Sequence, residues 1–179
     1  MEGQRKMKGR REQGFTLIEL LIVVAIISII AAFAVPGLLR ARMTGNETSA
    51  IVSLKTVTTS QVAYSASCGQ NGYAVSFVVL GTPAPGTTEG FISADLGSVA
   101  APQKSGYNFT IGPGTGASAG PTDCNGTATQ TAYYSTAVPQ AFGTTGTRSF
   151  ATSAGSTVWQ VNAAAAPTEP FGAPATPIQ

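Results

Sequence analysis

The sequence predicts an α+β fold in which a long N-terminal α-helix packs on an antiparallel sheet of roughly four strands. Three observations predict it: a membrane-length apolar run, a stripe of apolar residues with helical spacing after it, and short β-like runs separated by Gly/Pro turns. Because the strands follow the helix, the sheet is expected to cover the apolar stripe. The predicted segments are a leader (1–14), an apolar helix (15–37), its amphipathic continuation (38–66), an exported head (67–162) and a flexible tail (163–179).

The leader is strongly basic. Its five basic residues are Arg5, Lys6, Lys8, Arg10 and Arg11, and its two acidic residues are Glu2 and Glu12. The positive-inside rule therefore places the N-terminus in the cytoplasm, with the next helix crossing outward. Since the chain's formal net charge is only +2, this basic character belongs to the leader. It indicates no specific nucleic-acid site.

The apolar run spans residues 15–35, and Glu19 is its only side chain that can carry a charge. A helix of this length reaches roughly 30 Å, which is enough for a bilayer core. A secretory signal peptide is disfavoured, because its apolar region is shorter and ends at a small-residue cleavage site. A carboxylate inside such a run is costly and calls for a partner.

The hexapeptide GFTLIE at positions 14–19, preceded by basic residues and followed by the apolar run, resembles the N-terminal segment of type IV pilins and pseudopilins. The resemblance implies that a prepilin peptidase cuts between Gly14 and Phe15 and that the new amino group of Phe15 is methylated. It also implies that Glu19 pairs with the N-terminal amine of a neighbouring subunit. The alternative for Glu19 is a side chain that merely reaches the cytoplasmic interface.

The implied function is that of a structural subunit of a type IV pilus, a helical homopolymer built by an inner-membrane assembly platform and an ATPase. The subunit would cross the bacterial inner membrane once before assembly and lie in a cell-surface filament afterwards. A minor pilin or a type II secretion pseudopilin is the alternative within the family. A single-pass membrane protein with an exported ligand-binding head is the alternative outside it. No catalytic residue, metal ligand or cofactor is predicted, because the chain has no histidine and no hydrolase or P-loop motif.

Pro36 and Gly37 follow the apolar run, and they predict a kink, since proline removes a helical hydrogen bond and glycine adds flexibility. The alternative is that the membrane helix ends there. The amphipathic continuation carries its apolar stripe on six residues, namely Ala50, Ile51, Leu54, Val57, Thr58 and Val62.

In the head, four runs have the composition of strands: residues 107–111, 132–138, 148–152 and 157–161. The expected core anchors are their aromatic residues Phe109, Tyr133, Tyr134, Phe150 and Trp159. Cys68 and Cys124 are the only cysteines. An exported head meets oxidising conditions, so a Cys68–Cys124 disulfide is expected, with two free thiols as the alternative.

Overall fold

The computed structural model describes residues 14–178, so the basic residues of the predicted leader lie outside the described part of the chain. Helix α1 runs continuously from Leu17–Ser67. Contacts divide the chain into two units, one ending at Leu38 and one beginning at Leu39. Both predicted halves of the helix are therefore helical.

The head contains two short helices and eight strands within the described residues. They are α2 (Phe77–Gly81), α3 (Ala94–Gly97), β1 (Gln103–Lys104), β2 (Tyr107–Pro113), β3 (Ala119–Thr122), β4 (Ala128–Gln130), β5 (Tyr133–Pro139), β6 (Ser149–Ser153), β7 (Val158–Val161) and β8 (Thr176–Pro177). An antiparallel sheet has the order β1-β2-β5-β6-β7-β8, and β3 pairs with β4 separately. The four predicted strands form the centre of the large sheet, and β1 and β8 add two residues at each edge.

The core lies between one face of α1 and one face of the sheet. Leu54, Val57 and Tyr64 of the helix are buried in one cluster with Phe109 and Phe150 of the sheet. The predicted stripe is correct for most of its length but wrong at its end. Val62 is 54% exposed, whereas Ser53, Ser60 and Gln61 are buried. Two of these polar side chains find partners: Ser60 donates to the carbonyl of Phe91, and Gln61 exchanges two hydrogen bonds with the backbone of Ala74. The Ser53 hydroxyl has no partner among the described residues.

A charged contact joins α1 to the start of β6. The Glu47 carboxylate accepts hydrogen bonds from the Thr147 backbone N–H (N···O 2.8 Å) and from Arg148 Nε (2.8 Å). It also forms an ion pair with Arg148 Nη2 at 2.7 Å. Arg148 in turn donates to Gln160 on β7. The carboxylate thus links the helix to two neighbouring strands.

The opposite face of the sheet is covered by the C-terminal segment, residues 163–178. Phe171 stacks on Trp159, with 5.3 Å between ring centroids, and the Tyr134 hydroxyl donates to the carbonyl of Pro167. Ile178 N–H donates to the carbonyl of Val158 (2.8 Å) beside β8. From the proline-rich composition, a flexible tail was predicted. The contacts of this segment with the sheet were not predicted.

The position of the C-terminal segment also changes which of the five predicted aromatic residues anchor the core beneath α1. Phe109, Tyr133 and Phe150 are buried, as expected for anchors of the core beneath α1. Tyr134 and Trp159 are half-buried and pack against Phe171 instead. Because side chains alternate along a strand, Tyr134 must point away from the face that Tyr133 occupies.

Candidate functional site

The apolar part of α1 lies fully exposed in the isolated chain. Every large apolar side chain from Phe15 to Leu39 is exposed to solvent. Among the described residues, one helix is long and apolar enough to cross a membrane, and it is this one. The polar side chain of Ser28 donates to the carbonyl of Val24 (2.7 Å), which satisfies it within the helix. Such a surface needs lipid or protein around it, because water does not solvate it favourably.

Gly14 and Phe15 precede the first turn of this helix in non-helical backbone. A side chain at Gly14 would meet no atom within 4 Å. Phe15 is 80% exposed. Among the described residues, the backbone at Gly14 and the side chain of Phe15 are therefore open to solvent.

Glu19 occupies the first turn of α1 and forms a reciprocal cap with Thr16. The Thr16 backbone N–H donates to Glu19 Oε2 (N···O 3.0 Å), and the Glu19 backbone N–H donates to Thr16 Oγ1 (3.3 Å). The Thr16 hydroxyl also donates to Oε2. This is a capping box, which satisfies two N–H groups that a helix start leaves without partners.

The Thr-x-x-Glu spacing at positions 16–19 is the sequence signal for this cap, and it adds Thr16 to the candidate residues. All of the hydrogen bonds that Glu19 accepts from Thr16 fall on Oε2. No ion pair of Glu19 is present among residues 14–178. Its second carboxylate oxygen, Oε1, therefore remains available for another donor.

Pro36 and Gly37 lie inside α1, with helix assigned on both sides. A side chain at Gly37 would meet nothing within 4 Å. Proline still removes one backbone hydrogen bond from the helix. The kink at these two residues stays a prediction.

Cys68 and Cys124 form a disulfide, with their Cα atoms 4.8 Å apart. It joins the end of α1 to the turn between β3 and β4, where Cys124 N–H also donates to the carbonyl of Cys68 (2.9 Å). Beside it, the Tyr64 hydroxyl donates to the Asp123 carboxylate (O···O 2.6 Å). The bridge spans a sequence separation of 56, and a loop of that size contributes about 4 kcal/mol in the chain-entropy model.

Comparisons with known proteins concern the same N-terminal segment. A family model described as the prokaryotic N-terminal methylation motif matches residues 9–35. The chain is 62% identical over 39 residues to the type IV wide pilus major component PilA4 of Thermus thermophilus, covering 22% of this chain and 30% of that protein. It is 44% identical over 54 residues to the type IV major pilin protein PilA of Myxococcus xanthus, covering 30% of this chain and 24% of that protein.

By its N-terminal segment, the chain is similar to type IV pilins. The matched regions span less than a third of the length of these curated pilins. No solved structure matches the chain. The fold of the head is therefore known from this structure alone, in which a long helix packs on an antiparallel sheet.

Proposed function

We propose that this chain is a structural, non-enzymatic subunit of a type IV pilus. The observation that carries the proposal is the fully exposed apolar length of α1, which begins at a methylation motif and a capped glutamate. Such a helix fits membrane anchoring before assembly. In a filament the same surface would pack against the helices of neighbouring subunits. Apolar burial is then retained as the subunit leaves the lipid, so extraction is nearly balanced in free energy.

The proposal includes processing of the chain. A prepilin peptidase and methyltransferase cuts after Gly14 and methylates the amino group of Phe15. The open backbone around these two residues supports this step. Cleavage removes the basic leader and creates the amine that Glu19 is proposed to pair with. An inner-membrane platform and an ATPase then drive assembly into a cell-surface filament.

In the filament, Oε1 of Glu19 binds the methylated amine of a neighbouring Phe15, while Oε2 keeps its hydrogen bonds to Thr16. An ammonium and a carboxylate about 4 Å apart attract by roughly 4 kcal/mol at an effective dielectric constant near 20. Desolvation offsets much of this attraction, so the pair serves the register of subunits more than their affinity. A subunit that enters out of register leaves both charges without a partner.

Two variants of Glu19 test this role against a purely local one. Glu19→Ala removes both the cap and the charge, whereas Glu19→Gln keeps a capping side chain without the charge. We expect both variants to be cleaved normally, as shown by mass spectrometry of the N-terminus. Both should give much less sheared surface filament than the wild type. Glu169→Gln, which changes a carboxylate in the head, serves as the matched control and should leave the filament yield unchanged.

The wild-type filament itself should consist of a chain that begins at methylated Phe15. A chain that stays in the membrane with its leader attached would contradict the proposed function. Normal filament yield from Glu19→Gln, with a low yield from Glu19→Ala, would instead assign Glu19 to capping alone.

A further inference from the structure

Among the described residues that follow the apolar run, three cations and one carboxylate have no side-chain hydrogen bond or ion pair. Lys104 pairs with Asp95 (2.6 Å) and Arg148 pairs with Glu47, which leaves Arg40, Arg42 and Lys55. Of these three cations, Lys55 is the one that lies next to a core residue of the helix, Leu54. The Asp123 carboxylate accepts hydrogen bonds from Tyr64 and two backbone N–H groups, and that of Glu169 accepts one from Thr115.

The exposed carboxylate of Glu89 makes no hydrogen bond or ion pair with the described residues. Lys55 on α1 and Glu89 in the head therefore carry complementary charges that do not meet within one copy.

Lys55 lies on a helix face that is otherwise uncharged. Val52 and Val62 of this face are 58% and 54% exposed. The hydroxyls of Thr56 and Thr59 donate to carbonyls one turn earlier in α1, at 3.0 and 3.1 Å. The hydroxyl hydrogens of both threonines are thereby used within the helix. The two exposed valines give this face an apolar area beside Lys55 that is suited to a protein neighbour.

Glu89 borders an open groove of about 600 Å³ between α2 and α3. Small residues line much of it, and Glu89 is the single ionisable residue among those that line it. Its shape is fixed by close backbone packing, since a Cβ on Gly81 would lie 2.3 Å from the carbonyl oxygen of Gly97. A preformed groove with one carboxylate fits the ammonium group and flexible stem of a lysine.

We propose that Lys55 of one copy of this chain enters the groove of another copy and pairs with Glu89. The proposal rests on the proposed function and names one of its subunit contacts. The two sides of the contact are different surfaces, so the interface is heterologous, and repeating it generates an open helical assembly rather than a closed dimer. An exposed pair of this kind adds little affinity, and its effect is to select the register in which subunits add.

A carbodiimide, which joins a carboxylate to an amine in direct contact, tests the pair without any mutation. Purified wild-type filaments and detergent-solubilised subunits are treated alike, digested and analysed by mass spectrometry. The Lys104–Asp95 pair provides an internal control and should be linked in both samples. A Lys55–Glu89 link is expected in filaments and not in solubilised subunits. Its absence from filaments that show the control link, or its presence in solubilised subunits, would overturn the inference while leaving the proposed function standing.

Charge reversal gives a second test in the assembling cell. Lys55→Glu and Glu89→Lys should each lower the yield of sheared filament several-fold, and combining them should restore it. Arg42→Glu combined with Glu89→Lys is the mismatched control and should not restore it. Restoration by the mismatched pair alone would overturn the inference. If wild-type cells carry no surface filaments of this chain, the proposed function falls, and this contact falls with it.

Discussion

At the scale of single residues, Glu47 shows how a buried carboxylate can be stabilised. Burial alone would raise its pKa, but hydrogen bonds from the Thr147 backbone and the Arg148 side chain outweigh this effect and hold the pKa below its usual value. The charged form is therefore favoured in the folded state. Its contribution to stability is present above the unfolded-state pKa of about 4.5 and is lost as the pH falls through the folded-state value.

Glu47→Gln should destabilise the protein at neutral pH by about 2 kcal/mol, because a charged hydrogen-bond partner of Arg148 is lost. Arg148 stays partly exposed, so it can recover some hydration, which limits the loss. The difference from the wild type should shrink as the pH falls below about 4.5. Urea unfolding of the detergent-solubilised chain, followed by the fluorescence of Trp159, measures it. Glu89→Gln is the exposed control, and a loss that does not depend on pH would contradict the assigned role.

At the scale of elements, sequence patterns predicted the central strands better than the edges. Strands β2, β5, β6 and β7 have β-branched and aromatic residues between turn signals, so their local sequence agrees with their place in the sheet. Strand β8 has two residues, Thr176 and Pro177, which pair with Gln160 and Trp159. Nothing in a Pro/Ala-rich segment specifies such pairing, since it depends on the aromatic face that the rest of the chain has built.

Phe171 connects the C-terminal segment to that face, so its removal tests whether the segment contributes to stability. Phe171→Ala should cost about 1–2 kcal/mol, through the lost aromatic contact and part of the lost burial. It should also move the emission of Trp159, the single tryptophan, to longer wavelength as water reaches the ring. Phe142→Ala removes a ring that is 47% exposed in the β5–β6 loop and should change stability by less than about 0.5 kcal/mol. Equal effects of the two variants would indicate that the segment does not hold the sheet.

At the scale of the whole molecule, the candidate site and the head differ in what a sequence can reveal. The GFTLIE hexapeptide and the apolar run lie close together along the chain, so the pattern alone predicts roles for Gly14, Phe15 and Glu19, and these roles stay predictions. The Thr16 cap is also local, and its spacing could have revealed it. Lys55 and Glu89 lie far apart in sequence, and their proposed contact needs a second copy. They could be proposed as a pair only after the folded structure had shown which other charged residues already form ion pairs.

The division of the chain at Leu38 and Leu39 leads to a prediction about independent folding. The buried core residues run from Ala50 to Ala175, so a fragment of residues 39–179 keeps the whole core and both cysteines. We expect this fragment to be soluble without detergent when it is exported to an oxidising compartment, and to unfold in one cooperative transition.

The full chain, which serves as the control, should require detergent because of its exposed apolar helix. Thermal unfolding followed by circular dichroism, together with thiol titration in denaturant, measures both properties. A fragment that aggregates, lacks a cooperative transition or shows two reactive thiols would mean that the apolar helix is needed to fold the head.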